Sequence, residues 1–226
     1  MKKIKLKNTL KRLVLKKALI VLTMFAVQIS YSQTFVEIGT GDLPRTDEHY
    51  QLLPTSFPEA KVQVLILNEE IRAGGIHTGA KLLGVQWNVV TDNTPATTTY
   101  DFYITDDYVE DQMTAGVTFA TNPMTQVGVN LEDTSSYTGW HTAEFDTPHT
   151  WDGSDNLILQ TCRNDGGQFV TDQTMYNFDA GFVAVVTGYT NSCSDLEGIY
   201  ANSGRTALRL IFDCTESTSI IDTTIC

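Results

Sequence analysis

The chain has 226 residues, 42% of them hydrophobic, and a formal net charge of −12 at pH 7. Eight of its 15 basic residues lie between Lys2 and Lys17, whereas all 27 acidic residues follow Gln33. From Gln33 onward, seven basic residues face 27 acidic ones, a net charge of −20. Because such a surface repels phosphate groups, nucleic acids and anionic membranes are excluded as partners.

The first residues of the chain predict an export signal. The basic residues are followed by an apolar run, Ala18–Val27, and then by the small-residue pattern Ser30-Tyr31-Ser32. A basic region, a short apolar region and a small-x-small cleavage site define a secretory signal peptide. The apolar run is shorter than the roughly 20 residues that span a bilayer, and an uncleaved anchor is the alternative. We therefore expect residues 1–32 to be a signal peptide, and a secreted or cell-surface protein without stable membrane insertion after cleavage.

Residues 33–214 predict one all-β domain with almost no helix. Short runs rich in Val, Ile, Thr, Tyr and Phe are separated by Gly, Asn, Asp and Pro, which is typical of strands and turns. Apolar and polar residues alternate over Leu83–Val89, Tyr100–Thr105 and Gln126–Leu131, so one face of each strand is expected to be buried. The clearest core faces are Leu83, Val85, Trp87 and Val89 in the first strand and Tyr100, Phe102 and Ile104 in the second. Further strands are expected at Thr34–Ile38, Val62–Leu67, Val117–Ala120, Trp140–Phe145, Leu157–Cys162, Phe182–Thr187 and Leu208–Phe212.

These strands favour two packed sheets, because several of them have one polar face. The expected fold is a jelly-roll-like antiparallel β-sandwich, and a closed barrel is the alternative. After Cys214 the composition becomes polar, and an apolar run begins at Ile220. Residues 215–226 are therefore expected to be a linker and the start of a possible further module, which makes this chain the front of a longer protein.

The four cysteines are expected to form disulfides in an exported protein. They are Cys162, Cys193, Cys214 and Cys226, and three pairings are formally possible. The pair Cys162–Cys193 is favoured, because both lie at the edge of a predicted strand or loop in the same half of the chain. The sequence has no Cys-x-x-Cys pair, so zinc or thioredoxin-like chemistry has no support.

Catalytic motifs are missing from the sequence. It contains no H-E-x-x-H, no G-x-S-x-G and no G-x-G-x-x-G, which argues against metalloproteases, serine hydrolases and nucleotide-binding enzymes. A glycosidase needs two carboxylates at a defined separation, and no acidic pair is marked by its context. We therefore predict no catalytic residues and no enzymatic activity, and no cofactor apart from a possible calcium ion.

Oxygen-rich segments are the candidate sites for that ion. Asp106-Asp107 ends a predicted strand, and Asp152-Gly153-Ser154-Asp155-Asn156 places two carboxylates and an amide within one turn. Ca²⁺ takes about six to eight oxygen ligands, so Asp152 and Asp155 are the candidate metal ligands. The ordinary alternative is a β-turn whose aspartates accept backbone hydrogen bonds.

Two tryptophans are candidate ligand-binding residues. Trp140 and Trp151 lie next to turn glycines, where an exposed indole can stack on a sugar ring. Core packing is the alternative for both residues, and it is the expected role of Trp87.

The stretch from Gly139 to Cys162 resembles a β-sandwich module of secreted and cell-surface multidomain Bacteroidota proteins, adhesin-like proteins of the type IX secretion route. The likeness is carried by Gly139-Trp140 and by Trp151-Asp152-Gly153-Ser154-Asp155-Asn156-Leu157, which match a Gly-Trp strand and an aromatic-Asp-Gly-x-x-Asn-Leu turn. A later cysteine and a closing apolar strand also fit, so the likeness spans roughly Thr34 to Cys214. It implies a non-catalytic module and no site residues; the sorting domain that such proteins carry at their C-terminus is not in this sequence.

Together these features predict a non-catalytic secreted or cell-surface β-sandwich module. Its expected role is adhesive or structural, as part of a larger extracellular protein whose partner is an extracellular protein or a glycan. The alternative is a carbohydrate-binding module with a structural calcium ion, and an enzyme has the least support.

Overall fold

The structure is a computed structural model that describes residues 33–39, 43–45, 52–53, 59–91, 98–114, 118–133, 138–164, 174–189, 193, 198 and 200–214. The chain divides into two compact units, Met1–Ser32 and Gln33–Cys226, and every described residue belongs to the second. The predicted signal peptide and the predicted linker at 215–226 lie outside the described residues. Within the described ranges, no helix has the length and apolar character needed to cross a membrane.

The described residues form thirteen strands and one short helix. The strands are β1 (Gln33–Ile38), β2 (Leu43–Arg45), β3 (Glu59–Ile66), β4 (Lys81–Thr91), β5 (Thr98–Tyr108), β6 (Thr125–Asp133), β7 (Gly139–Thr150), β8 (Asn156–Asn164), β9 (Thr174–Asp179), β10 (Val185–Gly188), β11 (Tyr200–Asn202), β12 (Gly204–Thr206) and β13 (Leu208–Asp213). The helix, α1, covers Asn68–Ala73. The all-β class expected from the sequence is confirmed. Each predicted strand overlaps an observed one except Val117–Ala120, whose described residues lie outside these strands.

The strands form two antiparallel sheets. Sheet A has seven strands in the order β1-β13-β4-β9-β12, with β2 paired to β9 and β7 paired to β4. Sheet B has six strands in the order β11-β10-β3-β8-β5-β6. The predicted two-sheet arrangement, with every observed pairing antiparallel, is therefore present in the described part of the chain.

Eight of these strands pair in a nested order. β1 pairs with β13, β3 with β8, β4 with β7, and β5 with β6. Each pair therefore encloses the next one along the chain. The pair β1–β13 also encloses β2 and the strands β9 to β12. Contacts of β13 with β4 and of β8 with β5 join the pairs into two sheets.

The hydrophobic core lies between the sheets. The buried side chains of Val85 and Trp87 in β4 and of Tyr100 and Phe102 in β5 belong to one apolar cluster. Burial of this apolar area is the main favourable term in folding, at about 25 cal/mol per Å². The alternation that predicted these residues as core is confirmed, because a strand turns successive side chains to opposite faces.

Leu83 does not follow the predicted alternation. It is half-buried, and its neighbour Leu82 lies in the core instead. The cause is an irregularity in pairing: Leu82 pairs with His149 and Gly84 with Glu144, so several residues of β7 lie opposite Leu83. Such a bulge shifts which residues face inward, and the one-dimensional pattern does not reveal it.

The segment after β5 packs on the outer face of sheet B. Met113 and Phe119 form a second apolar cluster with Ile158 of β8 and other residues. Gln63 accepts a hydrogen bond from the backbone N–H of Ala120 (2.7 Å) and donates one to its carbonyl oxygen (3.2 Å). This segment is therefore held to the sheet, and its first residues border the site described below.

Helix α1 is not predicted by the sequence pattern. It follows β3 and has six residues, too few for a helical apolar period to be recognised. The Glu70 side chain accepts the backbone N–H of Leu67 at 2.9 Å, which satisfies one of the free donors at the helix start.

Candidate functional site

The two oxygen-rich segments meet at one end of the sandwich. β5 and β8 are neighbours in sheet B, and Tyr108 near the end of β5 pairs with Asn156 at the start of β8. The segment Asp106-Asp107 therefore lies beside the β7–β8 turn, which spans residues 151–155. The sequence identified both segments but did not connect them.

Three carboxylates form a cluster at this end. Asp106, Asp107 and Asp152 each offer an oxygen, and these oxygens lie within 4.8 Å of one another. Asp106 also accepts the backbone N–H of Asp152 at 2.9 Å, and His149 Nε2 lies 3.3 Å from Asp106 Oδ2. We call Asp106, Asp107 and Asp152 the carboxylate cluster. Like charges at this spacing repel, so the cluster favours a bound cation.

Asp155 is not part of the carboxylate cluster, which corrects its predicted pairing with Asp152. The two aspartates lie on opposite sides of Gly153, whose φ is 71°, and Asp155 lines a neighbouring cleft. Asp152 Oδ1 accepts the backbone N–H and the hydroxyl of Ser154, both at 2.8 Å. The turn therefore also has the backbone-capping role that was the ordinary alternative.

The cleft beside the cluster has a volume of about 890 Å³. It lies between α1, the segment that follows β5, and the β7–β8 turn. Its wall carries four acidic side chains and one basic one, together with the apolar side chains of three residues: Glu69, Glu110, Asp111, Asp155, Arg72, Leu67, Val109 and Phe182. We call it the acidic cleft.

Side chains from α1 hold one wall of the acidic cleft. Asn68 Nδ2 and Arg72 Nη2 both donate to the carbonyl oxygen of Gly153, at 2.7 and 2.6 Å. Arg72 Nε donates to Asn68 Oδ1 at 2.6 Å, and its guanidinium lies 5.6 Å from the centre of the Trp151 ring. Neither residue was predicted. Their separation of four positions places them on one face of a helix, but α1 is too short to be recognised from the sequence.

The Asp-Gly-x-x-Asn part of the turn has a structural explanation. Asn156 Oδ1 accepts the backbone N–H of Asn68 at 2.7 Å, and its Nδ2 donates to the carbonyl oxygen of Glu110 at 3.0 Å. One amide thus joins α1 to the segment after β5. Gly153 is required because a Cβ atom there would lie 2.5 Å from Thr78 Oγ1, in addition to the positive φ.

The three tryptophans lie in different environments. Trp151 is fully buried and packs on Phe212 with 6.3 Å between ring centres, so it has no free face for a sugar and the prediction that it binds ligand is wrong. Trp140 is half-buried and pairs with Asn88 on the outer face of sheet A, with the Arg209 guanidinium 3.9 Å from its ring centre. A ligand-binding role for Trp140 stays a prediction. Trp87 lies in the core as expected.

The disulfide Cys162–Cys193 is confirmed. Its Cα atoms are 5.8 Å apart, and Cys162 lies in β8, a central strand of sheet B. Cys214 is also disulfide-bonded, and no cysteine in the described part of the chain is free. Disulfides are typical of proteins in oxidising compartments.

Burial raises the pKa of the Tyr108 hydroxyl above its usual 10.0, and the nearby charge of Glu110 raises it further. The hydroxyl donates to the carbonyl oxygen of Gln112 at 3.1 Å. Tyr108 therefore stays neutral near pH 7 and contributes a fixed hydrogen bond next to the acidic cleft.

Comparisons with known proteins give few matches. No protein-family model matches the chain, and no curated protein matches it. One similar solved structure holds the cysteine protease and lectin-like domains of Cwp84, a surface layer associated protein of Clostridium difficile, with 13% identity and a TM-score of 0.41 over 73% of this chain and 35% of that one. A second, the clostridial cysteine protease Cwp84 after propeptide cleavage, has 14% identity and a TM-score of 0.41 over 73% of this chain and 39% of that one. The chain thus spans well under two thirds of the length of both proteins.

Proposed function

We propose that this chain is a non-catalytic, secreted or cell-surface β-sandwich module with an adhesive role in a larger extracellular protein. The observation that carries the proposal is the end of the sandwich formed by the carboxylate cluster and the acidic cleft. There, hydrogen bonds from Asn68, Arg72 and Asn156 hold loops against a rigid pair of sheets. Loops that a rigid scaffold positions in this way are common binding surfaces.

Two further features support an extracellular role. The Cys162–Cys193 disulfide fits an oxidising compartment, and the net charge of −20 after Gln33 keeps a secreted protein soluble. The export signal itself is tested by expressing the whole chain in a secreting bacterium and sequencing the N-terminus of the exported protein. We expect it to begin at Gln33, and an intact Met1 on an exported, membrane-bound chain would contradict signal cleavage.

We also propose that the sandwich is a jelly roll. In that fold eight strands pair first with last, second with seventh, third with sixth and fourth with fifth, which closes two Greek keys. The pairs β1–β13, β3–β8, β4–β7 and β5–β6 support this assignment. An experimental structure in which any of these four pairs is absent would contradict it.

Adhesion is tested with the exported chain coupled to beads. The beads are offered to immobilised extracellular matrix proteins and to a glycan array, and the offered molecules are then analysed by mass spectrometry. We expect saturable retention on at least one surface and recovery of the offered molecules intact. If an offered glycan or protein is cleaved only when the chain is present, the non-catalytic assignment is contradicted. If no surface retains the chain, the adhesive role is contradicted.

The carboxylate cluster favours a second candidate, a carbohydrate-binding module with a structural calcium ion. Ca–O distances of about 2.3–2.6 Å place oxygens on opposite sides of one ion about 5 Å apart. The spacing within 4.8 Å among Asp106, Asp107 and Asp152 fits that span. Such an ion would neutralise the cluster and tie the end of β5 to the β7–β8 turn. Trp140 is the tryptophan left to contact a sugar, and Trp140→Ala is expected to abolish any glycan retention.

Calcium binding predicts a change in melting temperature. At a Ca²⁺ concentration about 100 times the dissociation constant, the gain in stability is about 2.7 kcal/mol, which raises the melting temperature of a domain of this size by about 5–10 °C relative to excess chelator. Asp152→Asn should lose this shift. Asp155→Asn removes the same charge from the same turn outside the cluster and should keep it. No shift between calcium and chelator in the unmodified chain would rule out the ion.

A further inference from the structure

The acidic cleft has negative charge that its own wall does not neutralise. Glu69, Glu110 and Asp155 line the cleft, and their carboxylates make no hydrogen bond or ion pair within the described part of the chain. Asp111 has only a long contact, 3.5 Å from Asn156 Nδ2 to its Oδ1. Carboxylates gathered without a counter-charge repel one another, so a cationic group in the cleft would be stabilised.

The single basic side chain of the wall is already used. Arg72 donates to the carbonyl oxygen of Gly153 and to Asn68 Oδ1, both at 2.6 Å. Its guanidinium also lies over the Trp151 ring, 5.6 Å from the ring centre. These contacts hold Arg72 against the β7–β8 turn. The four acidic side chains of the cleft therefore face a single cation, and its Nε and Nη2 groups donate hydrogen bonds within the wall.

Apolar side chains lie beside these charges. Val109 is 70% exposed and adjoins Glu110, and Leu67 and Phe182 are half-buried on the wall. A lysine side chain suits such a surface, because its four-carbon stem packs on apolar groups while its ammonium group reaches carboxylates. A bare metal ion would interact with the carboxylates alone and would leave the apolar side chains without a partner.

We propose that the acidic cleft binds a lysine-rich segment of a partner protein. The inference rests on the proposed role as an adhesive module and names the chemistry of its partner. A volume of about 890 Å³ is at the upper end for ligand sites, about 300–1,000 Å³, and holds several residues rather than one side chain. The hydrogen bonds of Asn68 and Asn156 keep the wall in place before binding, which lowers the entropic cost of association.

The test measures binding of a fluorescently labelled peptide of alternating lysine and serine, about ten residues long, to the exported full chain by fluorescence anisotropy. Because the whole protein is acidic, any basic peptide is attracted to it. The variants must therefore distinguish binding in the cleft from this non-specific attraction. Glu69→Gln/Glu110→Gln removes two charges from the cleft. Glu132→Gln/Glu144→Gln removes two exposed charges elsewhere, at the far end of β6 and on β7, and is the matched control.

We expect saturable peptide binding, a loss of at least about tenfold in affinity for the cleft variant and a change below about twofold for the control variant. Equal weakening by both variants, or no binding to the unmodified chain, would overturn the inference. Melting temperatures of both variants should match the unmodified chain, because all four side chains are exposed.

A second variant tests the peptide against a simple polycation. Val109→Ser leaves every charge in place and removes the exposed apolar contact, so it should weaken the peptide about threefold or more and leave spermidine unaffected. If spermidine competes as well as the peptide and Val109→Ser changes neither, the cleft is a general cation site and the peptide proposal is wrong. Failure of peptide binding in a chain that still adheres to proteins or glycans would overturn this inference alone.

Discussion

At the scale of single residues, two arginine–glutamate pairs differ mainly in burial. Arg205 is fully buried, donates to both carboxylate oxygens of Glu70 and lies 4.8 Å from the centre of the Phe178 ring. Arg209 donates from Nε to Glu37 Oε1 at 2.8 Å, with side chains 29% and 60% exposed. Water screens the second pair more strongly, whereas the first joins α1 to β12 with the Arg205 side chain fully buried and the Glu70 side chain 26% exposed.

We predict unequal costs for the same substitution in these pairs. Arg205→Met leaves the Glu70 carboxylate without its buried partner and should lower the free energy of unfolding by about 3 kcal/mol. Arg209→Met should cost about 1 kcal/mol or less, since the pair is exposed and the contact with Trp140 is weak. Urea denaturation at neutral pH measures both, and equal losses would contradict a special role for the buried pair.

The raised pKa of Tyr103 is expected to make the free energy of unfolding depend on pH. Burial raises its pKa above the usual 10.0, and the charge of Asp101 and a hydrogen bond to it raise the pKa further. The folded protein therefore holds the phenol proton at a pH where the unfolded chain releases it. Stability from this group is complete below the unfolded pKa of about 10 and is lost as pH rises through the folded pKa.

The measurement is urea denaturation between about pH 8 and about pH 11. Tyr103→Phe should decrease the loss of unfolding free energy over that range, and Asp101→Asn should have a smaller effect of the same sign. An unchanged slope in Tyr103→Phe would contradict the shift.

At the scale of elements, strand β6 contains a bulge that changes which of its side chains face the core. Two residues, Val129 and Asn130, lie between the pairs Gly128–Phe102 and Leu131–Tyr100, opposite one residue of β5. Asn130 has φ 49°, and Val129 is 51% exposed. The backbone N–H groups of these two residues donate to Asp146 Oδ2 and Asp101 Oδ1, each at 2.8 Å. Carboxylates from the neighbouring strands thus satisfy donors that the bulge removes from regular pairing.

Backbone conformation at Asn130 predicts the effect of substitution. Asn130→Gly should be nearly neutral, because glycine adopts positive φ without strain. Asn130→Val should destabilise by about 1–2 kcal/mol, because a β-branched residue is strained there. Asn88→Val, the same change in a regular part of β4, is the control and should stay within about 0.5 kcal/mol in urea denaturation. Similar effects at the two asparagines would contradict the argument.

At the scale of the whole molecule, the disulfide joins distant parts of the chain. Cys162 lies in β8 and Cys193 follows β10, with a sequence separation of 31. The closed loop contains β9 of sheet A and β10 of sheet B. In the unfolded chain, the disulfide therefore restricts a segment whose strands belong to different sheets of the folded protein.

The chain-entropy model predicts that Cys162→Ala/Cys193→Ala lowers the free energy of unfolding by about 3–4 kcal/mol. Substitution is preferred to reduction, because Cys214 is also disulfide-bonded and a reductant would act on it as well. The double variant is compared with the unmodified chain in urea under oxidising conditions. A loss below about 1 kcal/mol would mean that other contacts already restrict this loop.

The fold was predictable where strands are regular and long. Val85 and Trp87 in β4 and Phe102 in β5 follow a period of two that needs only local sequence. The prediction failed at Leu83 and Val129, because bulges change the facing residues without altering composition. The strands of three residues, β2, β11 and β12, were also missed, since they are too short to display a period. The six-residue strand β9 was missed as well, because its buried residues are Met175 and the polar Asn177.

The sequence by itself determined the all-β class and the core faces of the regular strands, because these depend on local patterns; it favoured the pairing of Cys162 with Cys193, which the structure confirmed. Only the tertiary structure brought Asp152 to Asp106, 46 positions away, buried Trp151 and opened the acidic cleft. Those features depend on which strands are neighbours and in what register. That choice follows from the packing of the whole sandwich, which no single segment encodes.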